Sequence, residues 1–150
     1  MMDAMQSLHE NLTKAFMLPE SAVECLLIIF QASQVFDDVA DGDIVTRTEL
    51  DKTIWNLFVA IHKNEFWIEN QNSLVPVVAN FILKWQASDA VERDGKADEK
   101  SFVWRAGFYD IVLSCVQIHH GPDIAIKMAP YVMKLYGENF KDYMMEFNNV

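Results

Sequence analysis

Apolar residues recur along this chain every three to four positions, the spacing that places them on one face of an α-helix. Met5, Leu8, Leu12 and Phe16 form such a stripe near the start of the sequence. Stretches in which apolar and polar residues alternate, as in half-buried strands, are missing. We therefore predict an all-α fold: a single compact domain covering residues 1–150, built as a bundle of five to six helices that are mostly antiparallel neighbours.

Residues that begin or end helices divide this pattern into segments. Asp3 is a candidate N-cap for a short first helix. Pro19 opens the second helix, where Ser21 and Glu24 have the spacing of a capping box, and Gly42 ends it. Because the second helix is apolar on nearly all sides, we expect it to be the central, buried one.

The later helices are predicted in the same way. Thr46 and Glu49 have capping-box spacing at the start of a third helix. We expect that helix to bury four large side chains: Ile54, Trp55, Phe58 and Ile61. The polar residues 69–73 predict a loop before a fourth helix, and a fifth helix over residues 102–120 should stop at Gly121.

The net charge of the chain restricts the classes of partner that it is expected to bind. Lys and Arg number 12 and Asp and Glu number 22, which gives a formal net charge of -10. A surface this negative repels phosphate groups, so we expect no nucleic-acid partner and no membrane binding. The same charge would suit a cation or a basic protein partner.

The two cysteines help to predict the cellular compartment of the protein. Cys25 and Cys115 both lie in apolar stretches, which favours buried free thiols over a disulfide. Residues 1–10 lack the basic start and apolar core of a signal peptide. These features together predict a cytoplasmic protein.

An acidic cluster at the end of the second helix is the first candidate site. Asp37, Asp38 and Asp41 occupy its last turns, where the helix dipole already places negative charge and each carboxylate costs about 0.3–1 kcal/mol. A metal ion, a basic side chain or solvent should compensate. The candidate ligands for Mg²⁺ or Ca²⁺ are these three residues, with Asp110 as a fourth if the fifth helix faces them. If Asp110 instead faces Arg105 or Lys84, it forms a structural ion pair.

Two family resemblances involve this cluster. The run from Asp37 to Asp41 resembles the aspartate-rich motif of class I isoprenoid synthases, which implies carboxylates that hold Mg²⁺ against a diphosphate. Residues 37–50 are similar to a calcium-binding EF-hand loop, but Val39 and Thr48 stand where that loop needs oxygen ligands at positions three and twelve. A plain helix–turn–helix corner with solvated aspartates is the third interpretation.

The C-terminal segment is the second candidate site, because methionines and aromatic residues crowd it. Such side chains are common at adaptable protein interfaces. The predicted partner interface consists of Met133, Tyr136, Phe140 and Met144.

These observations leave two classes of function. The first is a non-enzymatic cytoplasmic helical interaction domain that forms a homo-oligomer through its C-terminal residues. The alternative is a divalent-cation-dependent enzyme or binding protein that acts on a phosphate or diphosphate ligand through the acidic cluster, or a degenerate calcium site. Whether the chain is an enzyme is left open, with the non-enzymatic interpretation favoured.

Overall fold

The computed structural model describes residues 3–147, and every regular element in that range is helical. The α-helices are α1 Ala4–Glu10, α2 Glu20–Asp41, α3 Arg47–Trp55, α4 Glu65–Arg93, α5 Glu99–Trp104, α6 Phe108–His120, α7 Pro122–Met133 and α8 Phe140–Phe147. Two π-helical turns, Asn11–Ala15 and Asn56–Ala60, and a 3-10 turn, Ile61–Lys63, interrupt them. The all-α prediction is confirmed, whereas the count of five to six helices and their antiparallel packing are not.

The chain divides into two compact units, Met1–Gln71 and Asn72–Val150. That all residues from 1 to 150 form one domain stays a prediction. Within residues 3–147 no helix is long and apolar enough to cross a bilayer.

The first unit is built around α2. Its buried side chains include Ala22, Cys25, Leu26 and Ile29, which follow the three-to-four spacing of one helix face. Asp3 caps α1 as predicted, because its side chain accepts a hydrogen bond from the backbone of Gln6.

The start of α2 differs from the prediction. Pro19 is the N-cap residue and no side chain caps the helix, so the predicted capping box of Ser21 and Glu24 is wrong. The helix begins at Glu20, which places Ser21 inside the first turn rather than at its edge.

The third helix departs from its predicted orientation. Of the four side chains expected to be buried, only Ile61 is, at 6% exposed; Ile54, Trp55 and Phe58 are 48%, 62% and 75% exposed. The π-helical turn Asn56–Ala60 holds more residues than an α-helical turn, so it rotates Ile61 away from the face that Ile54 and Trp55 share. Thr53 contacts α2 instead: it is buried and shares hydrogen bonds with Gln31.

The fourth helix runs unbroken through residues 69–73, so the predicted loop is wrong. Its start is fixed by Asn64, whose side chain accepts from the N–H of Trp67 at 2.9 Å and donates to the carbonyl of Ser21 at 2.8 Å. The polar residues that suggested a loop are exposed positions of a helix that buries Phe66 and Leu74.

The second unit contains the predicted fifth helix in two pieces, α5 and α6. Gly107 precedes α6, and a Cβ there would lie 3.3 Å from Cδ1 of Phe81, so the backbone approaches that ring closely. Ile111, Val112, Cys115 and Val116 of α6 are fully buried. The predicted stop at Gly121 is confirmed: its φ is 84° and Pro122 begins α7.

Candidate functional site

The predicted metal ligands Asp37, Asp38 and Asp41 lie at the C-terminal end of α2. Gly42 adopts the left-handed conformation with φ 78°, and its N–H donates to the carbonyls of Asp38 and Val39, which confirms it as the end of the helix. The N–H of Asp43 donates to the carbonyl of Asp38 at 2.8 Å. The backbone therefore turns sharply directly after the acidic residues.

The carboxylate of Asp38 lies in a negative local field. Loss of solvent contact raises its pKa, and the charges of Asp43, Asp37 and Glu49 raise it further. Glu49 is engaged elsewhere, because its side chain accepts a hydrogen bond from the N–H of Thr46 at 3.0 Å in the predicted capping box, which is confirmed. That bond lowers the pKa of Glu49.

Metal-ligating side chains are not gathered anywhere in the described range. Among residues 3–147 no three His, Cys, Asp or Glu side chains are grouped so that they could hold a metal ion. Binding of Mg²⁺ or Ca²⁺ by Asp37, Asp38 and Asp41 therefore stays a prediction without support from the grouping of carboxylates.

Asp110 is engaged by a lysine. Its carboxylate accepts a hydrogen bond from Nζ of Lys84 at 2.8 Å, and the same ammonium lies 5.9 Å from the ring centroid of Trp104. Asp110 thus forms the structural ion pair that the sequence left open as the alternative to metal ligation.

Some residues of the predicted partner interface pack within the second unit, and others are exposed. Phe102 lies 5.5 Å from Tyr136 and 5.3 Å from Phe140 between ring centroids, so both predicted residues pack within the second unit. Met144 is half-buried, whereas Met133 is 71% exposed. Among the four predicted residues, Met133 is the most available to a partner.

A half-buried polar cluster beneath α8 was not predicted. Nη1 of Arg105 lies 3.5 Å from Oε2 of Glu92 and 3.7 Å from Oε1 of Glu138. Its guanidinium carbon lies 5.0 Å from the ring centroid of Tyr143 and 5.7 Å from that of Phe147. The cation is therefore enclosed by two carboxylates and two aromatic rings.

The energetics of this cluster favour the charged arginine. Burial opposes the charge of Arg105, but Glu138 and Glu92 outweigh it and raise the pKa of the guanidinium. Nη1 is buried and makes no hydrogen bond among the described residues, so this nitrogen contributes through its charge. The cluster fastens α8 to α5 and is structural. Its partners are far apart in sequence, and an arginine within an apolar stretch was the only signal of it.

The first unit exposes an apolar surface that was also not predicted. Ile54 and Trp55 are adjacent at the end of α3, and Phe58 follows them by about one turn; we call these three exposed residues the aromatic patch. Beside it runs a groove of about 560 Å³, lined by residues of α1, α2, α3 and the segment that follows α3. Trp55 belongs to both, while Phe58 lies outside the groove lining.

Comparison with known proteins gives no information about function. No family model, no curated protein and no solved structure matches this chain. The aromatic patch and the adjoining groove are therefore the surfaces of the first unit on which a functional proposal can rest, together with the acidic cluster at the end of α2.

Proposed function

We propose that this chain is a non-enzymatic helical interaction domain that associates with a second copy of itself. The observation that carries the proposal is the exposure of the aromatic patch, because Trp55 and Phe58 leave most of their ring surface in water. Aromatic side chains dominate the energetics of protein interfaces, and burying one large apolar side chain is worth about 1.5–3 kcal/mol. Three neighbouring side chains of this kind form the centre of an interface.

The charges around the patch are compatible with a second copy. Arg47 and Asp51, on the preceding turns of α3, neutralise each other through an ion pair of 3.0 Å. Lys52 adds a positive charge, so the patch itself avoids the strong negative charge of the whole chain.

The C-terminal residues are the second location for the interface. Met133 is the most exposed member of that set, and Met145 of α8, twelve residues later in the sequence, is 61% exposed. We propose the aromatic patch as the primary contact because Tyr136 and Phe140 already contribute surface to Phe102.

Sedimentation over a concentration series tests this proposal. We expect a reversible oligomer in the unmodified protein and a shift toward monomer in Phe58→Ser. Val103→Ser is the matched control, since Val103 is 64% exposed and lies outside the patch. A monomer at all concentrations would contradict self-association. If Met133→Ser dissociates the oligomer and Phe58→Ser does not, the interface lies at the C-terminal residues.

A divalent-cation-dependent activity on a phosphate or diphosphate ligand is the second candidate function. It is supported by the negative charges of Asp43, Asp37 and Glu49 near Asp38, which together with burial raise the pKa of Asp38, since a bound cation would offset that repulsion. A basic protein partner would be attracted by the same field. Calorimetric titration with Mg²⁺ and Ca²⁺ tests the cation-dependent function. If neither ion releases or absorbs heat of binding, that function is contradicted.

We also propose a cytoplasmic location. Cys25 and Cys115 are both buried and free, which fits a reducing compartment. Fractionation of cells that express the chain, with its thiols trapped by an alkylating reagent, would test this.

A further inference from the structure

The groove of the first unit has the dimensions and lining of a site for a small amphiphilic molecule. Its volume, about 560 Å³, falls within the usual range for ligand sites. Leu27 and Ile28 of α2 form one wall, and Val59 forms the other together with Trp55. An apolar strip therefore runs along both walls, and the polar side chains of Glu24, Gln31 and Asn56 line the groove beside it.

Two lysines stand near the two ends of the stretch of chain, residues 52–64, that forms one wall of the groove. Lys52 and Lys63 both line it, eleven residues apart on the same wall, which corresponds to about 16 Å along a helix. Neither lysine forms an ion pair within residues 3–147. Glu24 also lines the groove, so the two lysines leave its lining with one positive charge in excess, in a chain whose net charge is -10.

The surroundings distinguish the two ends. Beside Lys63 lie the carboxylates of Glu20, Glu24 and Glu65, which would repel an anion. Beside Lys52 the groove is lined instead by the amides of Asn56 and Gln31.

The acidic neighbours of Lys52 along α3 are occupied. Asp51 pairs with Arg47, and Glu49 accepts hydrogen bonds from Thr46. The Lys52 end is thus the end at which a negative group would be stabilised.

We propose that this groove binds an organic anion with a linear apolar body, of the medium-chain carboxylate class. The carboxylate would pair with Lys52 and accept a hydrogen bond from the amide of Asn56. The apolar chain would lie along Leu27, Ile28 and Val59 toward Lys63. This site goes beyond self-association, because Lys52 and Val59 lie outside the aromatic patch.

The head-group charge of the ligand gives the first test. Decanoate, 1-decanol and decyltrimethylammonium have similar apolar chains and differ in charge, and each is titrated below its micelle concentration by calorimetry and tryptophan fluorescence. Nonspecific association with a strongly negative protein would favour the cationic amphiphile. We expect decanoate to bind most tightly. Equal or tighter binding of decyltrimethylammonium would overturn the proposal.

Two lysine variants locate the head group. Lys52→Gln should weaken decanoate binding about tenfold and leave 1-decanol binding unchanged, since a hydrogen bond to a charged group is lost only with decanoate. Lys63→Gln, at the opposite end of the same wall, is the matched control and should have a smaller effect. Unchanged 1-decanol binding also shows that the groove is intact in each variant.

Several outcomes would contradict the site. An equal loss of decanoate binding in both lysine variants would mean general charge attraction. An unchanged affinity in Lys52→Gln would place the carboxylate elsewhere. If no amphiphile binds but Lys52→Gln lowers the sedimentation coefficient of the protein, the groove is covered by a second copy of the chain, and the proposal is wrong.

Discussion

The hydroxyl of Tyr143 donates a hydrogen bond to Oε2 of Glu92 at 2.8 Å, and so joins α8 to the last turn of α4. The same hydroxyl lies 2.5 Å from Oγ of Ser101 on α5. Tyr143 is fully buried, and Arg105 lies against its ring. A single phenol therefore links three helices of the second unit.

Tyr143→Phe should lower the free energy of unfolding at pH 8 by about 1–3 kcal/mol, because the half-buried carboxylate of Glu92 and the buried hydroxyl of Ser101 each lose a hydrogen-bond partner. Burial raises the pKa of Tyr143 from 10.0 to about 12, and Glu92 contributes to the rise. A raised folded-state pKa means that this stabilisation is complete below pH 10 and is lost as the pH rises toward 12.

Urea unfolding of both proteins between pH 8 and 11 measures this effect. The difference between wild type and Tyr143→Phe should shrink above pH 10, and comparing the two removes the contribution of the other tyrosines. A difference that stays constant with pH would show that the hydroxyl does not titrate with folding.

Arg105→Met should cost about 1–3 kcal/mol of unfolding free energy, because it leaves the half-buried carboxylates of Glu92 and Glu138 without their cation. Arg47→Met is the matched control: its ion pair with Asp51 is exposed, and its loss should cost about 0.5 kcal/mol or less. Chemical denaturation measures both variants. Equal effects would mean that the arginine cluster contributes no more than a surface pair.

Asp38→Asn should raise the unfolding free energy at pH 7 by about 0.3–1 kcal/mol, because it removes a like charge from the end of a helix. The pKa of Asp38 is raised above 3.8 in the folded state, so its charge destabilises the fold at neutral pH. That penalty disappears as the pH falls through the raised pKa, and the two proteins should become equally stable near pH 3.

The control for Asp38→Asn is a variant expected to change the unfolding free energy in the opposite direction. Asp123 lies in the first turn of α7, where the helix dipole favours a carboxylate, so Asp123→Asn should lower stability. Thermal unfolding with and without Mg²⁺ extends the test to the cation hypothesis. Stabilisation of wild type but not of Asp38→Asn by Mg²⁺ would support ligation.

Self-association should strengthen as salt increases. Two copies that each carry a charge of -10 repel each other, and salt screens this repulsion while leaving apolar contacts intact. Sedimentation equilibrium at about 50 mM and about 500 mM NaCl should show a lower dissociation constant at the higher concentration. Weaker association at high salt would point to an interface built from ion pairs rather than the aromatic patch.

Local chemistry explains what the sequence could predict. Gly42 and Gly121 end helices because their positive φ angles suit glycine, and Thr46 with Glu49 begins one through hydrogen bonds between residues three apart. Each of these signals lies within one turn of chain. The all-helical fold follows from apolar spacing in the same local way.

Features that depend on distant residues escaped prediction. The π-helical turn Asn56–Ala60 changes which side chains face inward, and no motif in the sequence marks it, so Trp55 and Phe58 were expected in the core. Arg105 meets Glu92 and Glu138 only after folding. The candidate groove likewise exists only where separate helices meet.

Each compact unit also contains one buried thiol, so the protein carries a separate chemical probe of opening in each unit. Cys25 in the first unit and Cys115 in the second are fully buried, and burial raises the pKa of Cys25 to about 12. An alkylating reagent can reach either thiol only during transient opening, so its labelling rate reports the opening equilibrium of that unit. Mass spectrometry of the two labelled peptides would measure both labelling rates in one sample. Equal opening free energies would mean that residues 1–150 unfold as one domain, and unequal values would mean that the units open separately.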